Sequence, residues 1–363
     1  MEFAPGAGLC DNSRGYGSAA DGPVEQDLQD RGLHQEGDSK MKFREFGSTG
    51  MRVSQITLGT WGMGDVGWDH YDESTRIDAI KAAIDCGVNL IDTAPAYNSG
   101  AAERLLGRAL KKLDARDKIY ISTKCGNIFV DGKVYRKDGS AATIRRQCEE
   151  SLENLQTDHI DLMLIHWPDP NTPFEETMGT LNDLKKEGKI LHIGVSNFSK
   201  EQIEEAGRFG QIEVIQPQYS MVYTMQEDLI RWAHSRGMGC MTYGSLGGGI
   251  LTGKIRQAKE YDPTDSRNRF YKHFHEPMFS WAMKIVDVMD EISKEHDGVA
   301  LSQIALNWSC QKDFVTTCIV GAQTTDKVLE NCAAMDWSLS DDEVARLDEA
   351  VRAYCAQLPN PVC

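Results

Sequence analysis

Four polar side chains of complementary chemistry follow three successive apolar runs of the sequence. Asp92 ends the first run and Tyr97 lies in the loop behind it, Lys124 ends the second, and His166 ends the third. A tyrosine has a pKa of about 10, and a nearby ammonium group lowers it. We therefore expect Lys124 to lower the pKa of Tyr97, with Asp92 holding the lysine charged and in place. His166 would orient a carbonyl oxygen by a hydrogen bond.

This combination predicts an acid that protonates an oxygen while a hydride arrives at the attached carbon. No amino-acid side chain donates a hydride, so the chemistry requires a nicotinamide cofactor. Each residue alone has a plainer interpretation, because strand-end aspartates often cap helices and tyrosines often pack. If all four side chains meet at one site, catalysis explains them better than four separate structural roles.

The elements that must position these residues form a regular alternation. Short, nearly continuous apolar runs are typical of buried parallel strands, and segments with helical periodicity lie between them. The eight runs are QITLGT, NLIDTA, IYISTK, IDLMLIH, ILHIGVSN, VIQPQY, GCMTYG and TTCIVG. Eight alternations predict an α/β fold, a closed (β/α)₈ TIM barrel with its active site at the carboxyl ends of the strands.

Two additions to the barrel are predicted. Residues 42–46 and 52–54 flank Gly-Ser-Thr-Gly and indicate an N-terminal β-hairpin. A long insertion follows the seventh strand, with a polar stretch over Arg267–His275 and helices over Glu276–His296 and Ala300–Gln311. An open doubly wound sheet is the alternative fold, but the glycine-rich stretch after the first strand does not lead at once into a helix.

The sequence resembles the aldo-keto reductases over residues 41–345. The motifs that carry the resemblance are GVNLIDTAPAYNSGAAERLLGRAL, ISTK, LIHWPDP, GVSNF, TYGSLGGGILTGK and IVGAQTTDKVLENC. By this resemblance, Asp92, Tyr97, Lys124 and His166 form the family's catalytic tetrad, with Tyr97 as the general acid of carbonyl reduction. The run after the histidine is most similar to the bacterial and plant branch, which acts on small aldehydes, sugars and related carbonyls.

The resemblance also implies a set of cofactor-binding residues. The nicotinamide carboxamide would be bound by Ser196, Asn197 and Gln216, and the nicotinamide ring would stack on Tyr243. The pyrophosphate would lie against the loop of Ser245, Leu246 and Gly247. The adenosine end would contact Gly321, Gln323, Lys327, Glu330 and Asn331. Many members carry a basic residue at the positions of Gly321 or Gln323. Lys327 is then the main cation for a 2′-phosphate, so NADP(H) is preferred and NAD(H) stays open.

The substrate pocket is predicted from aromatic and sulfur-containing loop residues. These are Trp61, Met63 and Trp68 after the first strand and Trp167 after His166. Their composition suits a flat or apolar substrate and suits loop packing equally well. Cys125, next to Lys124, is interpreted as a buried structural thiol rather than a redox group.

Composition limits the partners. The 363 residues carry a formal net charge of −16, which disfavours nucleic acid and anionic membranes as partners. No apolar run approaches the roughly 18 residues that span a bilayer. Ten scattered cysteines without C-x-x-C pairing predict no metal site and a cytoplasmic protein. Small carbonyl or alcohol substrates are the expected partners, and the oligomeric state is not predicted.

Three divisions of the chain are expected. Residues 1–40 carry seven glycines and eight acidic residues, and they predict a flexible extension. The barrel is assigned to residues 41–345 and a C-terminal tail to residues 346–363. Two other functions stay open: a Schiff-base lyase that uses Lys124 as nucleophile, and a non-catalytic nucleotide-binding barrel that serves as a sensor or accessory subunit.

Overall fold

Eight parallel strands close into a barrel in a computed structural model that describes residues 40–64, 70–130, 133–261 and 265–358. In the order of hydrogen bonding they are β3 (Ile56–Gly59), β4 (Leu90–Asp92), β5 (Tyr120–Cys125), β8 (Ile160–Ile165), β9 (Ile190–Ser196), β10 (Val214–Gln216), β11 (Gly239–Thr242) and β12 (Thr317–Gly321). Pairing of β12 with β3 closes the ring. Each predicted apolar run corresponds to one of these strands, with β5 ending one residue beyond its run, and this confirms the (β/α)₈ barrel.

Helices surround the strands and bury their apolar faces against them. They are α1 (Glu73–Asp85), α2 (Ala101–Leu113), α3 (Ala141–Leu155), α4 (Phe174–Lys186), α5 (Lys200–Ala206), α6 (Glu227–Ser235), α7 (Ser266–Phe270), α8 (Met278–Glu295), α9 (Leu301–Cys310), α10 (Thr325–Cys332) and α11 (Asp341–Cys355). Short 3₁₀ turns cover Gly47–Thr49, Trp61–Gly64, Arg116–Lys118, Gly247–Thr252, Lys272–Phe274 and Ala333–Asp336. None of the helices in the described ranges is long and apolar enough to cross a membrane.

The predicted hairpin is present and closes the amino-terminal end of the barrel. Its strands β1 (Phe43–Glu45) and β2 (Arg52–Ser54) are antiparallel, and Phe46, Met51 and Val53 pack against the side chains inside the barrel. A Cβ on Gly239 would meet the Phe46 ring at 2.5 Å, so the start of β11 needs glycine. Chemistry is therefore confined to the opposite, carboxyl end.

A second hairpin was not predicted. Strands β6 (Asn127–Val130) and β7 (Lys133–Lys137) pair antiparallel directly after β5, at the carboxyl end of the barrel. They belong to the connection that leads from β5 to α3, and their alternation is too short to stand out in the sequence. Its first residue, Asn127, is buried at this end of the barrel.

The long insertion after the seventh strand is present between β11 and β12. The predicted helical stretches correspond to α8 and α9. The stretch expected to be polar, residues 267–275, is partly a core element instead, because Tyr271, His273 and Phe274 are buried. Their rings pack on one another, so aromatic stacking anchors this segment to the barrel.

The ends of the chain differ from the predicted divisions. Helix α11 crosses the predicted boundary at residue 345, and its Leu347, Val351 and Tyr354 are buried where it packs on α8. Residues 346–355 are thus part of the packed unit rather than a tail. Residues 1–39 of the predicted extension and residues 359–363 lie outside the described residues.

Candidate active site

Three strand ends and one loop bring the four predicted catalytic residues together. Asp92 ends β4, Lys124 lies one residue before the end of β5, and His166 directly follows β8. Tyr97 lies in the tight turn after β4, where its backbone N–H donates to Ala94 O at 3.0 Å. The next three residues all have positive φ, and this turns the chain sharply into α2.

Lys124 is hydrogen-bonded to both Asp92 and Tyr97. Its ammonium donates to Asp92 Oδ2 at 2.7 Å, to Thr93 O at 2.8 Å and to Tyr97 OH at 3.1 Å. Lys124 is 1% and Asp92 2% exposed, so the ion pair is buried at the floor of the site. With three acceptors, every ammonium proton has a partner. Lys124 therefore has no proton left to donate directly to a bound molecule.

The second oxygen of the Asp92 carboxylate, Oδ1, also accepts hydrogen bonds. Ser122 Oγ donates to Asp92 Oδ1 at 3.0 Å, and Gln216 Nε2 donates to the same oxygen at 2.9 Å. Sequence reasoning missed Ser122, although its position on β5, two residues before Lys124, could have indicated it. Gln216 was predicted to contact a carboxamide, but here its donor group serves Asp92.

Burial changes the electrostatics expected from the sequence. Burial would lower the pKa of Lys124, but the negative charge of Asp92 and the phenol of Tyr97 outweigh it, and the pKa lies above its usual value. Burial raises the pKa of Tyr97, and Lys124 opposes this rise without cancelling it. The expectation of a lowered pKa for Tyr97 was wrong, because it weighed the ammonium and not the desolvation. The phenol holds its proton at neutral pH.

His166 faces Tyr97 edge to face, with the ring centroids 6.2 Å apart. Burial lowers the pKa of His166 well below its usual value, and the charge of Lys124 adds to this effect. The imidazole is therefore neutral at neutral pH and keeps one donor and one acceptor nitrogen. It can donate a hydrogen bond to an oxygen without adding a second positive charge.

Neighbouring strand ends form a hydrogen-bonded chain beside the tetrad. Asn197 Nδ2 donates to His166 O and to Ser196 Oγ, both at 3.0 Å, and Tyr243 OH donates to Asn197 Oδ1 at 2.8 Å. Ser196 Oγ in turn donates to Gln216 O at 2.8 Å. Asn197 has φ of 61°, a left-handed conformation that asparagine tolerates. The amide and the Tyr243 ring are thus fixed at the mouth.

One cavity of about 740 Å³ connects most of the predicted site. The predicted residues along its wall are Trp61, Asp92, Tyr97, His166, Trp167, Ser196, Asn197, Gln216, Tyr243, Ser245, Leu246, Gly321, Gln323, Lys327, Glu330 and Asn331. Trp61 lies over Tyr97 with ring centroids 6.4 Å apart, and Trp167 is 37% exposed. Lys124 lies behind the wall, and Trp68 lies outside the described residues.

Two predicted lining residues do not reach the cavity. Met63 is 1% exposed and belongs to the core, where its carbonyl accepts from Arg76 Nη1 at 2.7 Å. Gly247 is turned inward by its positive φ, and His273 Nε2 donates to its carbonyl at 2.8 Å. Its neighbours Leu246, Gly248 and Gly249 line the cavity instead. His273 was missed because its partner lies 26 residues away.

Two lysines line the cavity beside helix α10. Lys327 Nζ lies 3.4 Å from Tyr71 OH and over the Tyr71 ring. Lys254 approaches Glu330 at 3.6 Å, and Glu330 also accepts from Ser302 Oγ at 2.6 Å. Thr324 caps α10, whose first turn opens beside these residues. This arrangement suits a phosphate-bearing ligand.

The residues present fit a nicotinamide dinucleotide with a small substrate. The cavity volume lies in the range of ligand sites, and its wall carries amide, hydroxyl and lysine groups. Gly248 has positive φ, and a Cβ there would meet the Tyr271 ring at 2.6 Å, so this position in the cavity wall needs glycine. Asn197 could hold a nicotinamide group, and Lys254 and Lys327 could hold phosphate groups.

Known proteins of one family are similar to this chain over most of its length. The family described as "Aldo/keto reductase family" matches residues 55–352. The aldo-keto reductase YhdN of Bacillus subtilis (strain 168) is 34% identical over 84% of this chain and 91% of its own length. The NADH-specific methylglyoxal reductase of Escherichia coli (strain K12) is 33% identical over 86% and 99%.

A solved structure is similar over nearly the same extent. The glycerol dehydrogenase AKR11B4 from Gluconobacter oxydans superimposes with a TM-score of 0.78 at 31% identity. The superposition covers 88% of this chain and 97% of that one. The likeness therefore extends over most of the fold.

Proposed function

The chain belongs to the aldo/keto reductase family, and on that premise we propose that it moves a hydride between NADP(H) and a small carbonyl or alcohol substrate. Tyr97 is the proposed general acid in reduction and the base in oxidation. The observation that carries this assignment is the chain of contacts from Asp92 through Lys124 to Tyr97, which ends at a cavity that His166 shares.

In reduction, the bound cofactor supplies the hydride. Tyr97 holds the proton that the substrate oxygen needs, since its raised pKa keeps the phenol protonated before reaction. As the proton leaves, the ammonium of Lys124 at 3.1 Å stabilises the developing phenolate. Asp92 keeps that ammonium charged and oriented. The neutral His166 orients the substrate oxygen without competing for the proton.

The two other functions have less support. A Schiff-base lyase needs an unprotonated lysine with access to substrate. Lys124 has a raised pKa, three hydrogen-bond acceptors and almost no exposure. A non-catalytic barrel would not need the tetrad to be assembled. Borohydride with substrate should leave Lys124 untagged, and single-turnover oxidation of bound NADPH should occur.

A substrate panel tests the proposal directly. Small aldehydes, ketones, sugars and polyols, including the methylglyoxal and glycerol named for the two relatives, would be assayed with both NADPH and NADH. We expect turnover of small carbonyls and faster reaction with NADPH. Absence of turnover and of cofactor oxidation across the whole panel would contradict an enzymatic role.

Cofactor preference is predicted to depend on Lys327. Replacing it with alanine should weaken NADPH binding by about 10- to 100-fold, because a charge-assisted hydrogen bond to the 2′-phosphate is lost. NADH binding should stay nearly unchanged. Titration of both cofactors by fluorescence measures the two dissociation constants.

The matched control is Lys186→Ala, which removes a lysine whose side chain is 77% exposed on an outer helix. It should alter neither constant. Equal losses for NADPH and NADH in Lys327→Ala would show that the lysine does not contact the 2′-phosphate. The cytoplasmic location that the cysteine pattern predicts remains a prediction.

A further inference from the structure

Phe270 is an exposed aromatic residue on the wall of the cavity. It is the last residue of α7, in the long insertion between β11 and β12, and it is 55% exposed. It lines the cavity together with Trp61, Tyr97 and His166. Single exposed apolar residues are common on protein surfaces, whereas aromatic side chains that line a cavity are typical of ligand sites. The exposed area of Phe270 is therefore available to a bound molecule.

Two aromatic contacts link Phe270 to the proposed catalytic tyrosine. The Phe270 ring meets the Trp61 ring edge to face, with the centroids 5.4 Å apart. The Trp61 ring in turn lies 6.4 Å from the Tyr97 ring, at an interplanar angle of 30°. Phe270 is thus two ring contacts away from Tyr97. A substrate whose carbonyl oxygen lies at Tyr97 can cross that span with a substituent that carries its own ring.

The backbone on both sides of Phe270 is held in place. Before it, Asp265 caps α7 by accepting from Arg267 N at 2.8 Å, and the Arg267 guanidinium donates to the same carboxylate at 2.9 and 2.6 Å. After it, Tyr271 is 6% exposed, and its ring packs on that of Phe274. Phe270 is therefore presented by a fixed turn, so little conformational entropy is lost when a ligand packs on it.

The phenyl ring of Phe270 favours an apolar partner. It cannot form the hydrogen bonds that a polar group would lose with water, whereas an apolar group packed on it removes apolar area of both from water. An aromatic group gains a ring contact of the kind that Trp61 already makes with Phe270. Arg267 also lines the cavity, but Asp265 balances its charge at 2.6 Å. The selected substituent is therefore apolar, and an aryl group suits it best.

We propose that Phe270 is a specificity-determining residue that packs against an apolar substituent of the carbonyl substrate. The preferred substrates are then aldehydes and ketones with an aryl-bearing arm rather than the unsubstituted short-chain compounds. This inference rests on the proposed function, because it requires carbonyl reduction at Tyr97.

The test compares 3-phenylpropanal with propanal, which differ only in the phenyl group. The wild type should show the higher kcat/KM for the aryl aldehyde. Phe270→Ala should reduce that preference by about 10-fold, mainly through KM, because the lost contact is made equally before and during the reaction. Phe270→Leu, which keeps an apolar side chain, should retain most of the preference. Propanal reduction and NADPH affinity should stay nearly unchanged in both variants.

Phe209→Ala is the matched control, because Phe209 is also an exposed phenylalanine, at 39%, and does not line the cavity. Its replacement should leave the preference intact. An unchanged preference in Phe270→Ala would overturn the inference, and so would a wild type that reduces both aldehydes equally well. Equal losses on both aldehydes together with weaker NADPH binding would assign Phe270 to the cofactor instead. A wild type that reduces neither aldehyde would refute the proposed function and this inference with it.

Discussion

Replacing Tyr97 with phenylalanine is expected to lower kcat for carbonyl reduction by roughly 100- to 10,000-fold, the range typical of general acid catalysis. The ring and its packing against Trp61 remain, and only the proton donor is lost. Cofactor affinity should stay nearly unchanged, since the phenol contacts Lys124 rather than the far end of the cavity. Steady-state kinetics and an NADPH titration measure the two effects separately.

A tyrosine remote from the cavity provides the control. Tyr354 is buried on α11, and its hydroxyl has no partner within the described residues, so Tyr354→Phe should change neither turnover nor stability appreciably. If Tyr97→Phe kept wild-type turnover, another group would be the acid. If it lost NADPH affinity in proportion to turnover, Tyr97 would have a structural role in the cavity.

The proposed catalytic residues could be predicted because the apolar runs of the sequence show where the strands end. In a parallel barrel every strand ends at the same face, so polar residues at the ends of apolar runs must converge. Asp92, Lys124 and His166 follow this rule. The helix-capping pair of Ser340 and Glu343 also follows from local sequence, and both of its hydrogen bonds are present.

Other features depend on contacts between residues distant in sequence. Asn127 lines the cavity as the first residue of β6, and the irregular pairing of β6 with β7 leaves little periodic signal in the sequence. Buried Tyr271 and His273 lie in a stretch of polar composition, and their packing partners are in the loop after β11. The pKa of Tyr97 was misjudged because the sequence shows which charges are nearby and not how much water is removed.

Asp92→Ala is expected to destabilise the protein by about 3–5 kcal/mol and to remove most activity. The ammonium of Lys124 would lose its only carboxylate among the described residues, in a position that is 1% exposed. Ser122 and Gln216 would lose an acceptor as well. Denaturant unfolding and steady-state kinetics measure the two losses.

The loss of stability in Asp92→Ala should become smaller as the pH rises. In the wild type the pKa of Lys124 lies above its usual value, so its contribution to stability is present at neutral pH and is lost only as the pH rises through that folded-state pKa. In Asp92→Ala, burial without the carboxylate puts the pKa below the unfolded value. The unfolded variant then binds more protons than the folded one, and its stability rises with pH. The difference from wild type should shrink between pH 7 and pH 10.

The double variant Asp92→Ala/Lys124→Met separates the structural role of the pair from the catalytic one. With both charges gone, no uncompensated ion stays buried, so much of the lost stability should return. Activity should not return, because the phenol of Tyr97 would lack the ammonium that stabilises its deprotonated form. Recovery of turnover together with stability would show that the pair supports only the fold. Additive destabilisation in the double variant would show that Lys124 and Asp92 do not act as one unit.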